Sequence, residues 1–504
     1  MKQRIISRGI RAKTHGFHVR QTRYQSTFQQ RFSITVPSGA SQRHVLDQLS
    51  TYVPKIPPRS YHGSPVINGV AVLASRDFTS WSEDKNFMSA FLETLFKPTR
   101  TSQTNHLALH VLSGITDGIG PRRLSSEPCS GFSVLWGPTD KVLPGLWGEG
   151  SVVANQDGTA CVSFVTNPLA GDTGALEVTL PLANTVFQNG RRSTLYASEW
   201  DMSSTGSVTL RTREPRTIQR IAASGDSVNH MSSIIPLLPI TPPRKIIAGL
   251  GNIVRQVEVD GSVTPASKEL ESVIPDIFDE RARRDPVSSP TPIGVWCWVI
   301  PPHVMESQSF DNLQLFNAGS SQTEADITLG SMKLFSELLS SGCRLHKILS
   351  GGGGWGLKQG LLSLDPETAF SLPGKDDDME MFIRSFEQRN SIEAIGGFVT
   401  PGSFLLFCVE PQVTNPEAPP NQFAVPTKSF AFGVTSDLDH TPSPNSQPSP
   451  VEIIDGHFGA SSTTGIFLRK IPGLAGTSSE SETKGTPQSP YTTKINVPGA
   501  YLCV

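Results

Sequence analysis

SPVINGVAVLAS (64–75), DKNFMSAFLETLF (84–96) and HLALHVLSG (106–114) stand in succession, and the change of period between them decides the fold class. The outer two alternate apolar and polar residues between Gly, Pro, Asn and Ser, which is the signature of strands. The middle one places Phe87, Phe91, Leu92 and Leu95 on one stripe at helical spacing, so it predicts a helix. GFSVLWG (131–137) and GTACVSFVT (158–166) add further strands. The pattern is α+β and heavy in β.

The same alternation continues downstream. LEVTLPLANTVFQNGRRSTLYASEW (176–200) carries Asn189 and Gly190, a pair suited to the positive φ angles of a type I′ turn, and predicts a hairpin. SVTLRTR (207–213) reads as a strand, and NIVRQVEVDG (252–261) alternates until Asp260 and Gly261 turn the chain. Pro265 is placed to open a helix through ASKELESVIPDIFDERARR (266–284), kinked at Pro275. DPVSSPTP (285–292) reads as a linker between domains.

Beyond it come a strand in IGVWCWVIPP (293–302) and a helix in LGSMKLFSELLSSG (329–342) that ends on glycine. DDDMEMFIRSFEQRN (376–390) spaces Met379, Phe382, Ile383 and Phe386 as a stripe behind an acidic first turn, and AIGGFVTPGSFLLFCVEP (394–411) reads as two strands around Pro401 and Gly402. These elements predict two β-rich α+β lobes with a few amphipathic helices, over 44–284 and 293–411.

From 412 to 504 the composition shifts. TSDLDHTPSPNSQPSP (435–450) and GTSSESETKGTPQSP (476–490) are rich in Ser, Pro and Thr and read as disordered, because they bury too little apolar area to offset the entropy of ordering. VEIIDGHFG, TGIFLRKI and KINVPGAYLCV are β-like and are expected to return and pair with the folded body.

The N-terminus reads as an address. From Met1 to Leu46 there are seven arginines, two lysines and no acid. Arg4, Arg8 and Arg11 fall on one helical face and Ile6, Ile10 and Phe17 on the opposite one, the composition of a mitochondrial presequence. VRQTRYQSTF resembles a processing site, with Arg23 two or three residues before a cut near residue 25. The structural alternative is a basic tail that binds anionic surfaces. Removing residues 1–25 leaves 36 basic against 45 acidic residues, net −9, which counts against bulk nucleic-acid binding without excluding a local patch. No run approaches the ~18 apolar residues needed to cross a bilayer. The six cysteines are scattered, with no CxxC pair, and fit free thiols in a reducing compartment.

HKILSGGGGWGLKQGLLSLDP (346–366) is the sharpest chemical feature. Gly351, Gly353 and Gly356 satisfy GxGxxG, and the strand-like run before them suits a dinucleotide-binding turn, but a helix should come next and the chain reaches Pro366 too soon. The P-loop pattern fails by one residue, because Leu357 and Lys358 stand where Lys and Ser or Thr are needed. A looser site survives, in which the backbone N–H groups of Gly351, Gly352, Gly353 and Gly354 wrap an anion and Lys358 supplies the countercharge, with Gly356 among the binding residues. The alternative is a structural bend packed on Trp355.

Other candidates are thinner. His106 and His110 share a face but lack a third metal ligand beyond Asp117, so no metal site is assigned. Asp455 and His457 could form an acid/base pair on a strand; Cys297 between Trp296 and Trp298 looks like core. Asp376, Asp377 and Asp378 suit an N-cap better than a cation. Arg211, Arg213, Arg216 and Arg220, and Arg281, Arg283 and Arg284, are local clusters that could meet RNA phosphates, against the commoner reading of a solvated face.

TPPRKIIAGLGNIVRQVEVDG (241–261) and SGGGGWGLKQGLLSLDP (350–366) resemble segments of an uncharacterised family of fungal mitochondrial proteins, over most of residues 60 to 410. The resemblance implies the compartment and brings no activity or cofactor. The expectation is a mitochondrial matrix accessory or assembly factor, free in the matrix or peripheral to the inner membrane, whose partners are mitochondrial proteins in organelle gene expression or inner-membrane complex biogenesis. One alternative is an enzyme or sensor binding a nucleotide or phosphorylated metabolite at Gly351–Lys358, with His346 or His457 as titrating group. Another is an RNA-binding factor using the arginine clusters.

Overall fold

The computed structural model describes residues 29–37, 39–53, 66–97, 106–120, 129–148, 159–166, 174–223, 231–284, 292–351, 360–370, 399–412, 429–436, 450–472 and 491–503. In chain order the first elements are β1 (Gln30–Thr35), α1 (Gln42–Tyr52), β2 (Gly69–Ser75), α2 (Thr79–Glu83), α3 (Lys85–Phe96), β3 (His106–Thr116), β4 (Gly131–Gly137), α4 (Thr139–Val142), β5 (Cys161–Thr166), β6 (Gly174–Pro181), α5 (Val186–Asn189), β7 (Leu195–Ser203), β8 (Val208–Pro215) and β9 (Ile218–Ala223). The middle of the chain gives β10 (Ser232–Ile234), β11 (Leu238–Pro239), β12 (Arg244–Leu250), β13 (Ile253–Val259), β14 (Ser262–Pro265), α6 (Lys268–Arg284), β15 (Val295–Ile300), α7 (Pro302–Ser307), α8 (Glu324–Ser340), β16 (Arg344–Gly351), β17 (Leu362–Leu364) and β18 (Phe404–Val409). The last strands are β19 (Phe430–Val434), β20 (Glu452–Asp455), β21 (Phe458–Ser462), β22 (Ile466–Pro472), β23 (Tyr491–Ile495) and β24 (Tyr501–Cys503). The fold is α+β, as the change of period predicts.

β2 is buried along its whole length, which explains why its sequence is almost continuously apolar: a central strand covered on both faces needs no polar side. Val70, Val72 and Ala74 face a core closed by α1 and α3, while Ala71 and Leu73 face the core on the other side. The sheet runs β20-β1-β4-β2-β3-β7-β8, and within it only the β2–β3 pair is parallel, bridged by α2 and α3. α3 starts on Asp84, whose side chain accepts from the Asn86 N–H, and buries six apolar side chains. Each contributes about 1.5–3 kcal/mol of hydrophobic burial.

The opposite face of this sheet enters the largest core. Leu73, Leu112 and Leu135 meet Phe164 and Val178 of a sheet ordered β23-β22-β6-β5-β9 and Phe430 and Leu502 of a sheet ordered β10-β24-β19-β21. The same core takes Trp296, Trp298 and Leu345 from a sheet with the path β11-β18-β12-β13-β17-β16-β15, together with Phe335 and Leu338 of α8. A third core lies on the other face of that sheet, where Val254, Val257, Val299 and Phe407 meet Leu270 and Ile277 of α6.

Several expectations change. β6 and β7 do not form a hairpin: β6 pairs with β5 and β22, β7 with β3 and β8, and the residues between them make the single turn α5. A type I′ turn needs positive φ at two positions, and here only Gly190 has it, at 74°. Asp260 (φ 51°) and Gly261 (φ 78°) do have that geometry and join β13 to β14 with Val259 opposite Ser262. Pro265 does not open a helix; it ends β14, opposite Gln256, and α6 starts three residues later. A proline is tolerated there because β14 is an edge strand with no second partner to miss its N–H.

The linker expected at 285–292 joins α6 to β15 inside one structure, because β12 and β13 (before it) and β15 to β18 (after it) share one sheet. The β-like segments of 412–504 are integral: β20 pairs with β1, β22 with β6, and β24 lies between β10 and β19. The helix expected at 376–390 and the presequence at 1–25 lie outside the described residues.

Candidate functional site

β16 carries the chain to the glycine run. It lies between β15 and β17, with Lys347 opposite Trp296 and its Nζ 5.3 Å from the centre of that ring. Gly351 is its last residue and faces Leu362 of β17. Gly353, Gly354, Gly356 and Lys358 lie outside the described residues. Where the chain returns, Gly360 has φ +85°, and a Cβ there would stand 2.7 Å from Cβ of Pro265, so glycine is required both by conformation and by room.

The element after Gly360 bears on the two readings of the glycines. Residues 362–364 are a strand antiparallel to β16, with Ile348 opposite Leu364 and Ser350 opposite Ser363. A dinucleotide or P-loop site needs a strand running into a helix whose N-terminus faces the phosphates. Here the described elements on either side of the run, β16 and β17, are both strands.

Beside the run, the register lines up an apolar strip. Leu250 is opposite Ile253 at the β12–β13 tip, Ile253 is opposite Ser363, and Ser363 is opposite Ser350, the residue after Leu349. Leu250 is 73% exposed, Leu349 57% and Ile253 38%. Val399 closes on the same tip, its N–H donating to the Gly251 carbonyl at 3.2 Å. An amphipathic pattern should turn these side chains inward; three of them sharing one sheet end face water instead.

The titrating groups named from the sequence sit elsewhere. His346 is buried, and its Nδ1 donates to the Asp365 carbonyl at 2.8 Å, which fixes the tautomer. Burial pushes its pKa down to about 4, with Arg344 adding to the effect and Asp365 opposing it. His457 and Asp455 are not a pair. Asp455 accepts from the Tyr52 hydroxyl, while His457 Nδ1 is 2.9 Å from Ser33 Oγ, itself 2.8 Å from Ser133 Oγ. The Gly459 N–H also donates to Ser133 Oγ, at 3.1 Å. This knot of Ser33, Ser133 and His457 has the atoms of a nucleophile and a base, but all three side chains are buried, so it ties β1, β4 and β21 together and offers no approach to a substrate. Sequence spacing could not find it, because its members come from opposite ends of the chain.

His106 and His110 do not converge on Asp117. His110 Nδ1 accepts from the Trp147 indole at 3.0 Å, and Asp117 holds Arg76 at 3.0 Å and the Thr463 N–H at 2.8 Å. Among the described residues no group of three or more His, Cys, Asp or Glu is placed to hold a metal. Cys297 is fully buried and burial pushes its thiol up, as a core residue requires.

The arginines of both clusters have partners within the chain, several of them at the surface. Arg211 pairs with Glu199, Arg216 with Glu214 and Arg220 with Glu177, and Arg213 lies over the Tyr196 ring. Arg281 pairs with Glu324, and Arg283 and Arg284 both pair with Glu280. They do not form a common unneutralised face.

No helix among the described residues is long and apolar enough to cross a membrane. Compared with family models, curated proteins and solved structures, the chain matches none.

Proposed function

We propose that the chain is a mitochondrial matrix accessory or assembly factor that binds another protein through the sheet end at Leu250, Ile253 and Leu349, in organelle gene expression or inner-membrane complex biogenesis. The observation that carries the binding reading is that strip: apolar side chains lined up by strand register and left in water beside the glycine run. The compartment rests on the acid-free, amphipathic first 25 residues. A phosphate ligand at Gly351–Lys358 is the weaker reading, because the described elements flanking the loop are two strands and a site of that kind uses a helix N-terminus. RNA binding is weaker again, because all but one of the arginines it would need are paired with carboxylates, and Arg213 lies over the Tyr196 ring.

The test is import of the full chain into isolated mitochondria, followed by native sizing of the matrix extract. The expected result is a shortened, protease-protected chain in an assembly larger than itself, and a free chain when Leu250 and Leu349 are both changed to Asp. Failure to become protected overturns the compartment. A wild-type chain that elutes alone overturns the binding reading.

A further inference from the structure

We infer that the turn at residues 184–192 is a membrane-contacting tip that inserts Phe187 into an anionic lipid surface. This goes beyond the protein-binding reading and uses a different part of the molecule. Phe187 is 96% exposed and Val186 beside it 44%, side by side on the single helical turn α5.

Their exposure is held in place. Asn184 Oδ1 accepts from the Val186 N–H at 3.0 Å, and Thr185 Oγ1 bonds both the Arg191 carbonyl at 2.9 Å and Thr194 Oγ1 at 2.8 Å. Asn189 Nδ2 donates to Glu83 at 3.0 Å and to Thr194 at 2.8 Å, while its Oδ1 accepts from the Arg191 N–H at 3.1 Å. Gly190 supplies the left-handed residue that turns the chain back. A turn tied down at both ends by side chains has no freedom to fold Phe187 away, so the ring stands in solvent by construction.

The charge around the base fits lipid headgroups. At this base the side chains of Arg191 and Arg213 stack on Tyr196, Asn189 bonds the Glu83 carboxylate, and Arg192, next in the chain, is exposed. The guanidinium groups of Arg191 and Arg213 lie 5.4 and 5.2 Å from the centre of the Tyr196 ring. A protruding aromatic and aliphatic pair with cations behind it matches the order of a leaflet met from water, where anionic headgroups come at the surface and hydrocarbon one side chain deeper. A protein partner would need a socket for a convex tip, whereas a bilayer receives it without one.

The experiment is flotation of the full chain with vesicles of neutral phosphatidylcholine or of phosphatidylcholine carrying an anionic phospholipid. In every sample the seven Lys and Arg of residues 1–25 are changed to Ser, so that the basic N-terminus does not report. The wild-type tip is expected to float with anionic vesicles and much less with neutral ones. Phe187→Ser should lower partitioning by about tenfold or more, the loss for one buried aromatic. Arg192→Ser should lower it roughly fivefold on anionic vesicles only. Thermal melting of Phe187→Ser should match the unchanged tip, since the ring touches almost nothing. The inference is overturned if the unchanged tip ignores anionic vesicles, or if Phe187→Ser floats equally well.

Discussion

Arg281 near the end of α6 and Glu324 at the start of α8 meet in two parallel hydrogen bonds, Nε to Oε1 at 2.9 Å and Nη2 to Oε2 at 2.8 Å. The same guanidinium donates to the Glu410 carbonyl at 2.7 Å, and the same carboxylate accepts from the Gln412 N–H at 2.7 Å. Two helices from either side of 285–292 and the end of β18 are thereby clamped at one largely desolvated point. Removing one partner strands the other charge, so Arg281→Ala is expected to cost about 3–5 kcal/mol. Arg281→Lys should recover only part, because an ammonium cannot make the planar double contact. Denaturant midpoints of the two variants check this.

His346 makes stability pH-dependent. Its pKa lies near 4 in the folded chain against about 6.5 when unfolded, so between these values the unfolded state holds the extra proton. Stability is full above pH ~6.5 and falls as the pH drops, by about 3 kcal/mol at pH ~4. His346→Leu should flatten that slope in a series of melts from pH 7 to 4. An unchanged slope would remove His346 as the cause.

Gly459 sits in β21 where an added Cβ would lie 2.0 Å from the Ile119 carbonyl oxygen and 2.7 Å from Cε1 of His457. Backbone cannot yield as a side chain does, so Gly459→Ala should cost about 3 kcal/mol or more. At Gly145 a Cβ would meet nothing within 4 Å, although φ is +70°. Gly145→Ala should therefore cost only the strain of a left-handed residue, about 1 kcal/mol. Paired melting curves separate the two.

Truncation after residue 449 removes β20 to β24 and exposes partners in three sheets, namely β1, β19 and β6. The shortened chain is expected to lose its cooperative melt and aggregate through the bared strand edges. A folded, monomeric 1–449 chain in sizing and near-UV dichroism would contradict the topology.

Leu250→Ser and Leu349→Ser, taken singly, should stay within about 0.5 kcal/mol of wild type in denaturant melts, because both side chains already face water. A large loss would mean that the strip is covered, which would also remove the ground for a partner there.

Local patterns carried most of the element types. The contrast between the alternating run at 106–114 and the striped run at 84–96 was legible because each repeats its period several times, and α8 ends on Gly342 with φ +86° as its sequence implies. Asn189-Gly190 misled because a turn pair states only that the chain bends; whether the flanking strands pair is settled by their other neighbours, and here each already has two. The segment 285–292 looked like a boundary because proline and serine mark an exposed connection, and a connection inside a sheet has the same composition. Neither the Ser33–Ser133–His457 knot nor the Leu250–Ile253–Leu349 strip has a local signature, since each depends on pairing between distant strands.

By itself the sequence determined the α+β class, the position of most strands and helices, and the expectation of a mitochondrial address, because these depend on periodicity and composition within a few neighbouring residues. Only the tertiary structure decided that the tail strands complete three sheets and that the strands before and after 285–292 share one sheet. It also showed that His346 and His457 are buried, that the arginines are paired, and that Phe187 and the Leu250 strip remain outside. Those outcomes depend on which surfaces meet, and burial and charge pairing are properties of contacts between residues hundreds of positions apart.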